Sequence, residues 1–290
     1  MSERILDIDH LMVSVRDSQV AGETFERMGF TLTPRSGLPG MSNRLICFDP
    51  PSTDRCNFIE FLGIDDRALA PPMMYDILGD TERPVSMVMV AGDARAVDAD
   101  LTAKGFEPFP VMELKRDWTL PSGEVISPEF IVSIPKPGRS PLFWNAVQYV
   151  TPQHYRRPEF TKHPNTAVGF SAVLAIAPDP ATVGRHYETA WDAKTTTDAN
   201  GSVDVMPGHV PLRILTPDFA ADRFDGVAER LAVSANDAAY LGFVVRVTDM
   251  ATLRRHLDDA GVTPRDLPSG RIWIGPEAAH GCVVVFEADG

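Results

Sequence analysis

The stretch Ile5-Leu-Asp-Ile-Asp-His-Leu-Met-Val-Ser-Val15, followed by Asp17, then Ala21, Phe25 and Met28, then Gly29-Phe30, decides the fold. The first part alternates, with Leu11, Val13 and Val15 on one side, as a half-buried strand does. Asp17 suits a helix N-cap, because its carboxylate can accept the first free backbone N–H groups. Ala21, Phe25 and Met28 fall at i, i+4 and i+7 along one helical face. Gly29 can take the left-handed conformation that ends a helix. The same order returns in Val85 to Val90, Asp93, Val97, Leu101 and Gly105-Phe106, and again in Tyr240 to Val247, Asp249, Leu253, Leu257 and Gly261-Val262. Ala167 to Ile176 opens a looser copy through Asp179-Pro180, Val183, Tyr187 and Trp191, which stops on the polar run Lys194 to Gly201.

After each helix the chain reads as extended, most clearly in Phe30 to Thr33, Arg44 to Phe48 and Phe58 to Ile64. The unit is therefore one strand, one helix and about three strands. Tandem ferredoxin-like domains, with one helix per two strands, would survive only if one strand per unit were loop. A unit of roughly 70 to 85 residues is too long for a solenoid, whose periods run ~20–50. Four modules pair into two domains, the number that 290 residues suggest at ~150 per domain. The polar, proline-rich stretch 151–166 separates them, so the first domain is expected over 1–150 and the second over 167–290, with 151–166 an ordered connection.

Composition narrows the functional classes. Hydrophobic residues make up 44% and charged residues 23%, as in an ordinary globular chain. With 27 Lys and Arg against 40 Asp and Glu, the net charge of −13 repels phosphate backbones, so nucleic acid is not expected as a partner. No apolar run approaches the ~18 residues of a membrane helix, so no membrane partner is expected. The first ten residues lack a basic-then-apolar export pattern. Cys47, Cys56 and Cys282 are too few for a disulfide framework and form no Cys-x-x-Cys pair, so they are expected as buried thiols in the cytoplasm. No Gly-x-Ser-x-Gly, phosphate-binding glycine loop or His-Glu-x-x-His occurs.

A duplicated βαβββ unit that closes a cupped sheet resembles the vicinal oxygen chelate superfamily, which includes glyoxalase I, extradiol dioxygenases and bleomycin-resistance proteins. Ile8-Asp-His-Leu-Met-Val13 is similar to its opening strand, and Asn57-Phe-Ile-Glu-Phe-Leu62 to its closing strand with an inward Glu. More narrowly, Met41-Ser-Asn-Arg-Leu-Ile-Cys-Phe48 and Glu159-Phe-Thr-Lys-His-Pro-Asn165 resemble the glyoxalase-like domain group. The expected fold is α+β, four βαβββ modules in two cupped-sheet domains.

The resemblance implies metal ligands on the first and last strands of paired modules. Strand parity puts Ile8, His10, Met12 and Ser14 on one face, and aligning the modules gives His10, Glu60, Ser86 and Gln148 for the first cup. His10, Glu60 and Gln148 would hold one divalent ion (Zn, Ni, Mn or Fe). Ser86 departs from the pattern, since a neutral hydroxyl is a poor ligand, and one His is too few for the dioxygenase set. A metal-free pocket in which His10 bonds to Glu60 satisfies the same residues. Corresponding positions in the second cup are Ser171, Arg213, Gly242 and Glu287, which predicts a degenerate half that is structural or binds an organic anion.

Other candidate ligand-binding residues are Asn43, Arg44, Ser86, Arg116, Trp118 and Trp144. Arg44 either points a guanidinium into the cup or makes an ion pair at the strand edge. The two tryptophans line the pocket mouth or belong to the core. His154 and His163 either close the cup or cap the connecting backbone. Two functions follow, beside a purely structural or partner-binding role that would leave the cups filled by their own side chains. One is a lyase or isomerase acting on an α-hydroxycarbonyl, with metal assistance or with Glu60 as base. The other is a protein of the bleomycin-resistance type that binds a small molecule without changing it. Either is compatible with a monomer or a homodimer.

Overall fold

The computed structural model describes residues 5–49, 55–227 and 237–290. Strand β1 (Ile5–Ser14) leads into helix α1 (Ser18–Arg27), and Asp17 caps it by accepting from the N–H groups of Gln19 and Val20 at 2.8 and 3.3 Å. Strands β2 (Ser36–Leu38), β3 (Met41–Cys47) and β4 (Phe58–Ile64) and the short α2 (Met73–Leu78) complete the first unit. The second contains β5 (Arg83–Ala91), α3 (Ala94–Ala103), β6 (Met112–Lys115), a hairpin of β7 (Trp118–Thr119) and β8 (Val125–Ile126), β9 (Glu129–Ser133) and β10 (Trp144–Tyr149). A short helix, α4 (Pro158–Thr161), lies in the connection.

The third unit runs β11 (Ala167–Ile176), α5 (Pro180–Trp191), β12 (Lys194–Thr197), β13 (Val203–Met206), β14 (Leu212–Leu215) and α6 (Pro217–Arg223). The fourth runs β15 (Ala239–Val247), α7 (Met250–Asp259), β16 (Arg265–Asp266), β17 (Ile272–Ile274) and β18 (Val283–Ala288). Asp93, Asp179 and Asp249 cap their helices as Asp17 does. Gly29, Gly105 and Gly261, at φ of +83°, +82° and +71°, take the left-handed conformation that stops them.

The units pair into two eight-stranded sheets, ordered β2-β3-β4-β1-β5-β10-β9-β6 and β12-β13-β14-β11-β15-β18-β17-β16. In each, the two opening strands run antiparallel at the centre and each carries its closing strand parallel on its outer side. Three strands of the main sheet follow each principal helix, which is the βαβββ arrangement and not the ferredoxin-like one. Two details differ from the sequence reading. Phe30 to Thr33 forms no ladder strand, although Thr33 exchanges backbone and hydroxyl hydrogen bonds with Leu45. The polar run after α5 contains the edge strand β12, whose threonines tolerate exposure at a sheet edge.

One hydrophobic core joins the helix-facing sides of both sheets, through Phe25, Trp144, Tyr187, Phe243 and Phe286. Buried polar tethers fix the halves. The Tyr240 hydroxyl donates to the Phe143 carbonyl at 2.6 Å and accepts from Met87 N–H at 3.2 Å. The Asn57 amide pairs with both backbone groups of Phe170 at 2.9 and 3.2 Å. Asp7 accepts from the N–H groups of His209 and Val210, both at 2.9 Å. The connection is packed down, with Tyr155, Phe160, His163 and Asn165 buried. No helix among the described residues is long and apolar enough to cross a membrane.

Candidate functional site

A bulge in β1 builds the floor of the first cup. Ile8 pairs with Met89 and His10 with Val88, so Asp9 is an extra residue opposite one step of β5. Ile8 therefore faces the helices along with Leu11, while both Asp9 and His10 turn to the concave side. This corrects the strand-parity expectation that grouped Ile8 with His10. It also adds Asp9, a fully buried carboxylate, to the floor.

Asp9 is held from three directions. Its carboxylate accepts from His10 Nδ1 at 2.7 Å, from the Tyr149 hydroxyl at 2.6 Å and from Cys56 N–H at 3.1 Å. His10 Nε2 faces Glu60 Oε2 across 3.5 Å, longer than a normal hydrogen bond. The other Glu60 oxygen accepts from Asn43 Nδ2 at 2.5 Å and Arg116 Nη1 at 3.2 Å. The His10 ring also stacks on Phe58 at 4.0 Å between centroids.

These contacts tune both groups. Burial disfavours a charged His10, but hydrogen bonds and charge from Asp9 and Glu60 outweigh it and hold the imidazole above its ordinary 6.5. Burial works against ionised Glu60 as well. The charge of Arg116 and the bonds from His10 and Asn43 nevertheless bring its carboxyl down to about 2. Burial, reinforced by Asp9, pushes the Tyr149 phenol well above its ordinary range, so it remains a donor.

Above this floor lies a cavity of about 200 Å³. Its walls are apolar, with Met12, Met41, Met112, Phe130 and Val147 from the strands and Met73 and Met74 from the first turn of α2. Asn43, Arg116 and Trp118 line it as well. Trp118 is fully buried, edge-on to Tyr155 and Phe160, which the connection brings over the sheet.

Four expected residues sit elsewhere. The Gln148 side chain accepts from Ala94 N–H at 3.0 Å, so it lies on the helix side at the start of α3. Since Met12 pairs with Glu60 and Val88 with Asn145, the residue equivalent to Glu60 is Asn145, three positions earlier and facing the cavity. Ser86 is buried beneath the floor, donating to Asn145 Oδ1 at 3.2 Å. Arg44 follows Asn43 by one residue and takes the opposite face, bonding the Thr33 carbonyl and Glu26 on α1 at 3.1 and 2.5 Å. Trp144 belongs to the shared core against Trp191. His163 caps backbone: its Nε2–H donates to the Cys47 carbonyl at 2.9 Å and its Nδ1 accepts from Thr31 N–H at 3.0 Å. Burial lowers its pKa to about 4, which keeps it neutral. The residues missed by sequence reasoning are Asp9, Asn145, Tyr149 and Tyr155. The one signal for Asp9 was two carboxylates, Asp7 and Asp9, inside an otherwise apolar strand.

The second cup is closed by its own chain. Phe219, Ala220, Phe224 and Val227 pack with Leu174, Leu241, Val244 and Trp273 over the concave face. Arg213 is paired with Asp204 by two bonds of 2.9 Å, and Ser171 donates to Glu287 at 2.9 Å. At Gly242 an added Cβ would lie 1.8 Å from the Val283 carbonyl oxygen, so this position serves close backbone packing.

Paired βαβββ units around a polar-floored cup define the vicinal oxygen chelate class. The match of the glyoxalase-like domain family to residues 8–191, more than half of the chain, shows that the chain belongs to that family. No curated protein matches it in sequence. Among solved structures it is similar to a hypothetical protein from Staphylococcus aureus, with TM-score 0.68 and 10% identity over 98% of this chain and 100% of that one. It is also similar to the Mn(II)-bound glyoxalase from Novosphingobium aromaticivorans (TM-score 0.56, 11% identity, 100% of this chain, 83% of that one). Homoprotocatechuate 2,3-dioxygenase from Arthrobacter globiformis gives TM-score 0.56 and 9% identity over 99% of this chain and 81% of that one. At these identities the likeness is one of fold.

The donor set here does not fit the metal that such a fold implies. Only His10 and Glu60 of the four positions are ligand types with charge or basicity to offer. Ser86 and Asn145 bond each other, and Gln148 faces away. The Arg116 guanidinium already neutralises Glu60, and a dication bound there would stand beside a second positive charge. Among the described residues no three His, Cys, Asp or Glu side chains are grouped to hold an ion.

Proposed function

We propose that the first cup binds a small, largely apolar, oxygenated molecule, and that His10 moves a proton on it in lyase or isomerase chemistry next to a carbonyl. The observation that carries this reading is the Asp9–His10 pair. Asp9 anchors Nδ1–H at 2.7 Å, which fixes the tautomer and presents Nε2 at the cavity floor. Asp9 and Glu60 raise the ring above its ordinary 6.5, which makes it the stronger base of the two groups that face the cavity floor. The sequence reading gave the base to Glu60, but a carboxyl held at about 2 is a weak base. Glu60 instead acts electrostatically, fixing Arg116 and stabilising the imidazolium when His10 takes a proton.

Binding without chemistry is the second reading. It is favoured by the hydrogen bonds from Asn43 and Arg116 that already occupy Glu60 Oε1, and by walls that offer packing rather than reactive groups. The test is hydrogen–deuterium exchange next to the carbonyl of small ketones and α-hydroxycarbonyls, measured by NMR with calorimetric binding alongside. Catalysis predicts exchange that His10→Gln abolishes while binding survives. Sequestration predicts binding in every protein and exchange in none.

A further inference from the structure

We propose that the ligand of this cup is an uncharged carbonyl compound with a single-ring or similarly compact apolar body, whose carbonyl oxygen is received by Arg116 and Trp118. This rests on the first cup being the ligand site. Arg116 Nε and Trp118 Nε1 are buried and have no acceptor among the described residues, although both side chains line the cavity. Buried donors left unpaired are costly, and a ligand oxygen would relieve both. Arg116 uses Nη1 for Glu60 and lies over the Phe130 ring at 5.4 Å, which holds the guanidinium plane in place. Trp118 is fixed by Tyr155 and Phe160.

The acceptors, by contrast, are committed. Glu60 is engaged by Asn43, Arg116 and His10, and Asp9 by His10, Tyr149 and the Cys56 backbone. An ammonium head could reach only Glu60 Oε2, and there it would compete with His10 Nε2, which already faces that oxygen at 3.5 Å. Glu60 is balanced by Arg116, and Asp9 is balanced by His10 once that ring has taken a proton. A carboxylate head would add an unpaired negative charge beside Glu60 inside apolar walls, whereas a carbonyl accepts two hydrogen bonds without that burden.

Size and wall chemistry set the body. An apolar cavity of about 150 Å³ admits a benzene ring, so about 200 Å³ admits one ring with a short chain. Five of the chain's 11 methionines, Met12, Met41, Met73, Met74 and Met112, line it. Thioethers are adaptable and pack well against aromatic rings. Arg116 then polarises the carbonyl oxygen and stabilises charge that develops on it when the neighbouring carbon loses a proton.

The test compares 4-phenylbutan-2-one, 3-phenylpropanoate, 4-phenylbutan-2-amine and butylbenzene by calorimetry on the full chain. The ketone is expected to bind at least about tenfold tighter than the carboxylate or the amine. Arg116→Met and Trp118→Phe should each weaken the ketone by about tenfold while leaving butylbenzene unchanged. Trp118→Phe keeps the test alive if Arg116→Met fails to fold. A carboxylate that matches the ketone, or equal losses for ketone and butylbenzene, would overturn the proposal. If the ketone pattern holds but no deuterium enters it, the substrate class stands and the proton-transfer reading fails. If the ketone does not bind while glycolaldehyde undergoes His10-dependent exchange, the substrate class fails and the reading of the cup stands.

Discussion

Glu60→Gln tests the electrostatics of the cup floor. In the folded protein the Glu60 carboxyl is held at about 2, against 4.5 when free, because Arg116, His10 and Asn43 more than offset its burial. A difference of that size corresponds to about 3 kcal/mol of folding stability at neutral pH. Because the folded value is the lower one, this contribution is present above the ordinary carboxylate range and is lost as pH falls from about 4.5 toward 2. Glutamine keeps the shape and one acceptor for Asn43, but it leaves the buried Arg116 without its partner charge and His10 with Asp9 alone. The variant should be about 3 kcal/mol less stable than the parent at pH 7, and the gap should narrow as the acid limb is crossed. Urea unfolding followed by tryptophan fluorescence at several pH values between 7 and 3 reads both quantities. A variant as stable as the parent at pH 7, or a gap that stays constant into acid, would refute the account of the floor.

Four further outcomes follow. Asp9→Asn removes the anchor that raises His10, so the His10 ring should titrate at lower pH by NMR, and the alkaline-rising limb of any exchange activity should move down with it. Substituting His163 with Ala leaves Thr31 N–H and the Cys47 carbonyl unpaired and should cost about 2–4 kcal/mol in urea unfolding. In the parent the His163 ring should stay neutral and protonated on Nε2 until about pH 4, which nitrogen chemical shifts report. Gly242→Ala places a Cβ against the Val283 carbonyl oxygen and should abolish soluble expression, although Gly242 lies far in sequence from the functional cup.

The fold was legible because each module repeats three local devices, an alternating strand, an aspartate cap and a glycine stop, and each is decided by neighbouring residues. The site was legible only where alternation is regular. His10, Glu60 and Asn43 follow from parity, and all three face the cavity. Arg44 lies one step from Asn43 and takes the other face, as period 2 requires. Gln148 failed for the same reason: an alignment three residues too long selects the wrong face, and Asn145 holds the place. The Asp9 bulge was not legible, because the pairing of β1 with β5 that creates it joins strands some 80 residues apart. Arg116, Trp118, Tyr149 and Tyr155 meet only when the hairpin, the last strand and the connection fold onto one sheet. That meeting depends on tertiary contacts that no local pattern encodes.

The central claim is that the first cup performs proton transfer through His10, with Arg116 rather than a metal ion at the carbonyl oxygen. Deuterium incorporation into 4-phenylbutan-2-one, followed by NMR after exhaustive chelation, tests it most directly. The account predicts exchange that persists without metal, is lost in His10→Gln and falls sharply in Arg116→Met. Exchange that vanishes on chelation and returns with Mn(II), unaffected by Arg116→Met, would contradict it.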